Sequence, residues 1–202
     1  VFSAPVPDLD NAADLAGFFA AIQELAAAGQ ILAYHDRSDG GLIVSLCEMA
    51  FAARCGLRLS IEPGIAGDAR RLRARLFAEE PGAVIQVAAT HQPAVLACLA
   101  RHGLAELVVD IGTAVSGHTL SIESAGRICL RSDLRSLHQA WNETSFEIQK
   151  LRDHPVCAEE EFARTLRWDQ PFLQPRLNFD PLHNPVAPAI LTQPRPAVAI
   201  LR

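Results

Sequence analysis

Apolar residues recur at three- and four-residue steps through Leu15, Phe18, Phe19, Ile22 and Leu25, which predicts a helix over 11–29. Asn11, with Asp14 three positions on, resembles a capping box at its start, and Gly29 is a plausible stop. Ile31 to Tyr34 is a short apolar run that suits a buried strand, and the polar residues 35–41 make a loop ahead of a second helix, Leu42 to about Arg54. Leu57, Leu59 and Ile61 alternate with polar residues and predict a strand with one wet face. A helix over 69–77, a strand over 83–87 and a helix over 93–101 follow, then two or three strands within 105–111, 118–123 and 127–131. Strands alternating with helices across short loops imply an α/β (α+β) class, a mixed sheet layered with helices.

The rhythm changes at Ser132. Leu134, Leu137, Trp141, Ile148 and Leu151 define the apolar seam of one long helix that ends near Asp153. Seven of the thirteen prolines then crowd between 171 and 196, which denies regular structure to that stretch. The reading is therefore a lobe over 1–131, a packing helix over 132–154, an extended connector over 155–195, and a strand over 196–202 that opens a further, truncated domain.

Composition narrows the function classes. Half of the 202 residues are hydrophobic, a fifth are charged, and the formal charge is −5. An acidic balance with no basic run argues against nucleic-acid binding through the phosphate backbone. No apolar stretch approaches the roughly 20 residues that span a bilayer. The five cysteines are odd in number, widely spaced and without a C-x-x-C pair, which fits reduced thiols in a cytoplasmic protein. The first residue is Val1 and not Met, which suggests a cut from something longer.

Functional side chains are dense in one place, Tyr34-His35-Asp36-Arg37-Ser38-Asp39-Gly40-Gly41-Leu42. The loop follows a buried strand and precedes a helix, where free N–H groups and the helix dipole favour phosphate. Asp36 and Asp39 are hard oxygen donors of the kind Mg²⁺ uses, and Ser38 can donate to a phosphate. The competing reading is structural: Asp and Ser cap helices, and Gly-Gly makes turns. His35 suits a packing or hydrogen-bonding role, since no nucleophile lies near it in sequence. The other histidines lack ligand spacing. Glu79 and Glu80 read as a solvated helix end, Cys47 as a buried thiol, and Trp141 as core.

The loop resembles the second-half signature of the large glutamine-dependent phosphoribosylformylglycinamidine synthases. The resemblance runs on through Cys47–Ala52, Gly82–Val87, Ala114–Gly117, Trp141–Ser145, Gln149–Asp153 and Arg195–Arg202. The D-x-S-D-G-G core alone also occurs in aminoimidazole ribonucleotide synthetase and selenophosphate synthetase. Pro81, the stretch Arg167–Phe172, and Pro185 and Pro188 depart from the large-synthase pattern.

The resemblance implies a lobe like the C-terminal one of aminoimidazole ribonucleotide synthetase, within an incomplete ligase that uses ATP, glutamine and formylglycinamide ribonucleotide. By position it implies Asp36 as a magnesium ligand and Ser38 as a nucleotide contact, with Mg²⁺ and ATP or ADP as cofactors and no catalytic residue here. The remaining ligands, and the groups that meet substrate and glutamine, would belong to other parts of the enzyme. The alternatives are another ATP enzyme with this loop, of the selenophosphate synthetase or small-molecule kinase type, or a non-catalytic interaction domain.

Overall fold

Asn11 begins the first helix as its chemistry suggests: its side chain accepts the Ala13 N–H and its amide donates to Asp14 Oδ1 at 2.8 Å. The computed structural model describes residues 8, 9, 11–63, 65, 67–170, 175–184 and 186. The chain divides into two units, Val1–Trp168 and Asp169–Arg202. Helices α1 (Ala12–Ala27), α2 (Gly41–Ala53), α3 (Ala69–Phe77), α4 (Gln92–Arg101), α5 (Leu134–Arg152) and α6 (Pro155–Thr165) all lie in the first. So do strands β1 (Ala33–Asp36), β2 (Gly56–Ile61), β3 (Ala83–Gln86), β4 (Gly112–Val115), β5 (Thr119–Ser124) and β6 (Arg127–Asp133).

The strands form two sheets. One is the antiparallel pair β1–β3, with Asp36 opposite Ala83. The other has the order β4-β2-β5-β6, in which β2 and β5 run parallel and the remaining neighbours antiparallel. This is the mixed α/β class that the alternation predicts. Leu57, Leu59 and Ile61 of β2 and Leu120 and Ile122 of β5 point to one face, where α2 covers them with Leu42, Ile43, Leu46, Ala50 and Phe51. Full burial of a Leu or Ile contributes about 1.5–3 kcal/mol, so Leu120, Ile122 and Leu134, with no exposed surface, anchor this core. A second cluster joins α1 to α4 through Ala21, Leu25, Val95, Cys98, Leu99 and Leu104. No helix among the described residues is long and apolar enough to cross a membrane.

Several expectations change. The strand expected within 105–111 is a 3-10 turn at Ala105–Leu107; Ile111 accepts the Ser60 N–H at 2.9 Å, and the strand proper begins at Gly112. Gly103 (φ +80°) turns the chain so that Leu104 enters the second cluster, which takes the next residues out of line for a ladder. At Gly112 a Cβ would stand 2.2 Å from the Arg58 carbonyl oxygen, so close pairing with β2 requires glycine there.

The seam of α5 packs only at its start. Leu134 is buried and Leu137 partly so, whereas Trp141 is 51% exposed, Ile148 59% and Leu151 90%. The stretch expected to be an extended connector from 155 opens instead with α6. Pro155 sits in its first turn, and Ala158 and Glu159–Glu161 are good helix formers. Helix α6 runs antiparallel to α5: Phe146 stacks on Phe162 at 4.2 Å, and Gln149 donates to Glu161 at 2.9 Å. The face of α5 that α6 covers is therefore not the predicted seam.

Trp168, which the sequence places in the connector, is buried in the main core. Its indole N–H donates to His138 Nδ1 at 3.2 Å, and its ring meets Phe51 edge-on at 6.2 Å. In the second unit, Asp180 and Asn184 accept the N–H groups two residues ahead, forming Asx turns. The expected strand at 196–202 lies outside the described residues, as does much of the proline-rich stretch.

Replacing Trp168 with Ala should cost about 3–5 kcal/mol, because a buried aromatic leaves a cavity. Replacing Trp141 with Ala should cost no more than about 2 kcal/mol, since half of its surface already faces water. Urea unfolding of the two variants checks the order; a larger loss at Trp141 would return that residue to the core.

Candidate functional site

Asp36 is the last residue of β1 and Gly41 the first of α2, so the candidate loop is the junction of these two elements. Alternation along β1 sends Tyr34 and Asp36 to the exposed face and His35 to the inner one. The Tyr34 hydroxyl donates to Asp36 Oδ1 at 2.6 Å. Ser38 and Asp39 are exposed, and their side chains make no hydrogen bond among the described residues.

The loop backbone is strapped to the segment that follows α3. Arg37 N–H donates to the Gly82 carbonyl at 2.9 Å, and Arg37 Nε–H to the Ala78 carbonyl at 3.0 Å. Gly40 N–H donates to Glu79 Oε1 at 2.9 Å, and Gly41 N–H to the Ser38 carbonyl at 2.9 Å. Gly40 (φ 81°, ψ 0°) is the cap residue of α2 and makes no side-chain capping bond of its own. The capping reading of Asp39 and Ser38 therefore does not hold; the acceptor for the loop is Glu79, from elsewhere in the chain. Gly41 also serves a contact within the protein. A Cβ on it would lie 2.7–2.9 Å from backbone atoms of Phe77 and Ala78.

Beneath the loop, polar groups connect β1 to α5. The Asp36 carbonyl accepts from His35 Nδ1 at 2.6 Å and from the Ser45 hydroxyl at 3.1 Å. His35 Nε2 meets Glu48 Oε2 at 2.8 Å, and Glu48 Oε1 accepts the Trp141 indole N–H at 3.0 Å. Both ring nitrogens of His35 thus face oxygen acceptors. Its hydrogen-bonding role agrees with the sequence reading. Glu48 and Glu79 are the contributors that sequence reasoning missed. Glu79 lies 39 residues from Gly40, and only its place in an acidic pair after a helix marked it.

Chemically, the exposed rim offers one carboxylate, with Oδ1 already accepting from Tyr34, and one free hydroxyl at Ser38. Such hard oxygen donors fit Mg²⁺, which commonly takes one or two carboxylates beside phosphate oxygens and water. Asp36 belongs to no cluster of three or more potential ligand side chains among the described residues. A cation there would complete its shell from phosphate, water or other protein parts. On the inner side, Arg37 and Arg75 line a cavity of about 350 Å³ that is otherwise mostly apolar, with Phe18, Ile22, Val84 and Leu104 in its wall. Burial, and next the nearby Arg75, lower the Arg37 guanidinium from its ordinary value.

Residues 5–124, more than half of the chain, match the family described as AIR synthase related protein, C-terminal domain. The chain belongs to this family. The matched AIR-synthase-related region contains the loop, both sheets except β6, and α1 to α4. PurL of Thermotoga maritima complexed with ATP shares the fold, at 13% identity and TM-score 0.50 over 60% of this chain and 21% of that one. PurLQS from Thermotoga maritima is similar, at 12% identity and TM-score 0.52 over 63% of this chain and 22% of that one. This chain thus spans about a fifth of the length of the solved chains it matches.

The site geometry has a direct optical test, because Tyr34 is the sole tyrosine. Partial desolvation, reinforced by the Asp36 carboxylate, pushes its phenol from 10.0 up to about 12. The raised folded value means that this group's contribution to stability is complete below pH 10 and fades as pH rises towards 12. Tyrosinate absorbance should therefore stay low between those values while the protein is folded. In Asp36→Asn the midpoint should fall part of the way back, since the partial desolvation persists. A midpoint near 10 in the folded wild-type chain would show that the Tyr34–Asp36 contact is not kept in solution.

Proposed function

We propose that this chain is part of a phosphoribosylformylglycinamidine synthase, the ligase that converts formylglycinamide ribonucleotide to its amidine with ATP and glutamine. The observation that carries the reading is the D-x-S-D-G-G loop at the β1–α2 junction, which leaves Asp36 and Ser38 at an exposed rim in a chain of the AIR-synthase-related family. The likeness to PurL, one example of which is complexed with ATP, supports it at the level of fold. The resembling blocks at Trp141–Ser145, Gln149–Asp153 and Arg195–Arg202 favour the large synthase over other ATP enzymes with the same loop.

In this reading Asp36 holds Mg²⁺, and Ser38 contacts a phosphate of ATP or ADP. Mg²⁺ bound there would neutralise phosphate charge. The residues of the chain do the positioning: Tyr34 orients the Asp36 carboxylate, and Ser45 and His35 fix its backbone. In the ligase reaction, ATP phosphorylates the amide oxygen of the substrate. Ammonia from glutamine then attacks that carbon, and phosphate leaves with the oxygen. These steps belong to other parts of the enzyme, and no residue here is catalytic. With this reading goes a synthetase C-terminal-like lobe over 1–131, followed by a packing helix over 132–154.

In the whole enzyme, Asp36→Asn should lose most of its bound Mg–nucleotide, because a neutral amide is a far poorer ligand for a hard dication. Asp39→Asn should keep its nucleotide and change stability by no more than about 0.5 kcal/mol, since its side chain caps nothing. Glu79→Ala should lower stability by about 1 kcal/mol, as loss of a cap does. Nucleotide content and melting temperature of the three purified variants decide. Full occupancy in Asp36→Asn would overturn the metal assignment.

A further inference from the structure

Outside the loop, α1 and α4 bring together three side chains of a different chemistry. Cys98 lies on the last turn of α4 and His102, four residues on, is its C-cap, so both stand at the same end of that helix. Glu24 on α1 meets that end. One ligand atom from each of Glu24, Cys98 and His102 lies within 4.8 Å of the other two, and no other such group of three occurs among the described residues. His102 Nε2 is 2.9 Å from Glu24 Oε2, and Cys98 Sγ completes the group within the 4.8 Å that spans all three ligand atoms.

The crossing is close by construction. A Cβ on Gly17 would stand 2.3 Å from the His102 carbonyl oxygen, so a glycine inside α1 lets α4 approach. Gly17 is two turns before Glu24 and thus near the same side of α1. Glycine inside a helix costs about 1 kcal/mol relative to Ala, and here the cost purchases contact at the place where the three side chains meet.

We propose that Glu24, Cys98 and His102 form a binding site for a borderline divalent cation of the Zn²⁺ class, which joins α1 to α4. Thiolate sulfur, imidazole nitrogen and carboxylate oxygen are the donor set such ions prefer, whereas Mg²⁺ takes oxygen. Zn–ligand bonds of about 2.0–2.3 Å in a tetrahedron set ligand atoms about 3.3–3.6 Å apart. The three ligand atoms here lie within 4.8 Å of one another, so binding would draw them together. Cys98 is buried, while His102 and Glu24 are 26% and 48% exposed, which leaves the fourth position open to water. On binding, the thiol proton passes to solvent and the sulfur–metal bond takes its place. Arg101 competes: its guanidinium pairs with Glu24 Oε1, the oxygen on the other side of the carboxylate.

The site is independent of the proposed nucleotide loop, so the two stand or fall separately. The test titrates the metal-free full chain with Zn²⁺ alone, and with Co²⁺ as a spectroscopic substitute, in the presence of excess Mg²⁺. One equivalent should bind, raise the melting temperature, and give thiolate-to-cobalt charge-transfer absorption. Cys98→Ser should abolish that absorption. His102→Gln and Glu24→Gln should each weaken binding about tenfold or more, since even outer-shell partners of a metal matter by that much. Arg101→Gln should tighten binding by about threefold or more, because it frees Glu24 and removes a competing charge. Loss of stability cannot imitate this last result. Should Cys98→Ser fail to fold, Arg101→Gln and Glu24→Gln, both at exposed positions, decide the question. Charge-transfer absorption that survives in Cys98→Ser, or affinity unmoved by Glu24→Gln and Arg101→Gln, would overturn the site.

Discussion

The start of α2 lies against the end of α3 with no room for a side chain, and much of the molecule follows from that contact. Any Cβ at Gly41 would enter the backbone of Phe77 and Ala78, so at this point the chain meets the end of α3 through main chain. Positive φ at Gly40 and Gly41 turns the chain sharply out of β1 and into α2. That turn directs the apolar side of α2 onto β2 and β5, where Leu42, Ile43, Leu46, Ala50 and Phe51 close the main core. It also fixes the loop, because Arg37 and Gly40 then reach acceptors at Ala78, Gly82 and Glu79. A rim that displays Asp36 and Ser38 to solvent depends on backbone held this way from behind.

Polar satisfaction links that rim to the rest. The Asp36 carbonyl, the His35 ring, the Glu48 carboxylate and the Trp141 indole form one connected series from the candidate site to α5. Each member uses its hydrogen-bonding capacity on the next, and no buried side-chain nitrogen or oxygen lacks a partner among the described residues. Such a network disfavours alternative packings, since breaking one contact leaves a polar group without its bond. Trp141 is thus half exposed yet ordered by a charge-assisted bond and not by burial.

Helix α5 shows how the same element can answer to two neighbours. Its first turns pack into the main core through Leu134 and Leu137, and its later turns pack on α6 through Phe146. Trp168 then returns the chain to the main core beside Phe51 and His138. The second core, around α1 and α4, makes its own close approach at Gly17. Both cores are therefore fastened at glycines, by backbone contact that no larger residue would allow.

The amino-acid pattern by itself determined the class, most elements and the place of the chemistry. Two-residue alternation in Leu57-Arg58-Leu59-Ser60-Ile61 and the Asn11 cap are local signals, and local signals survive folding because neighbours in sequence create them. The loop at 34–42 was visible for the same reason, as a dense set of polar residues and glycines between two apolar elements. Tertiary structure alone decided which face of α5 is covered, since the turn at His154–Pro155 brings Phe162 to Phe146 and leaves Ile148 and Leu151 in water. It also decided that Glu79, and not Asp39 or Ser38, meets the loop's Gly40 N–H, that Trp168 is core, and that Glu24 joins Cys98 and His102. Each of these pairs residues far apart in the chain, and their meeting depends on how helices cross and where strands pair, which periodicity along one segment does not encode.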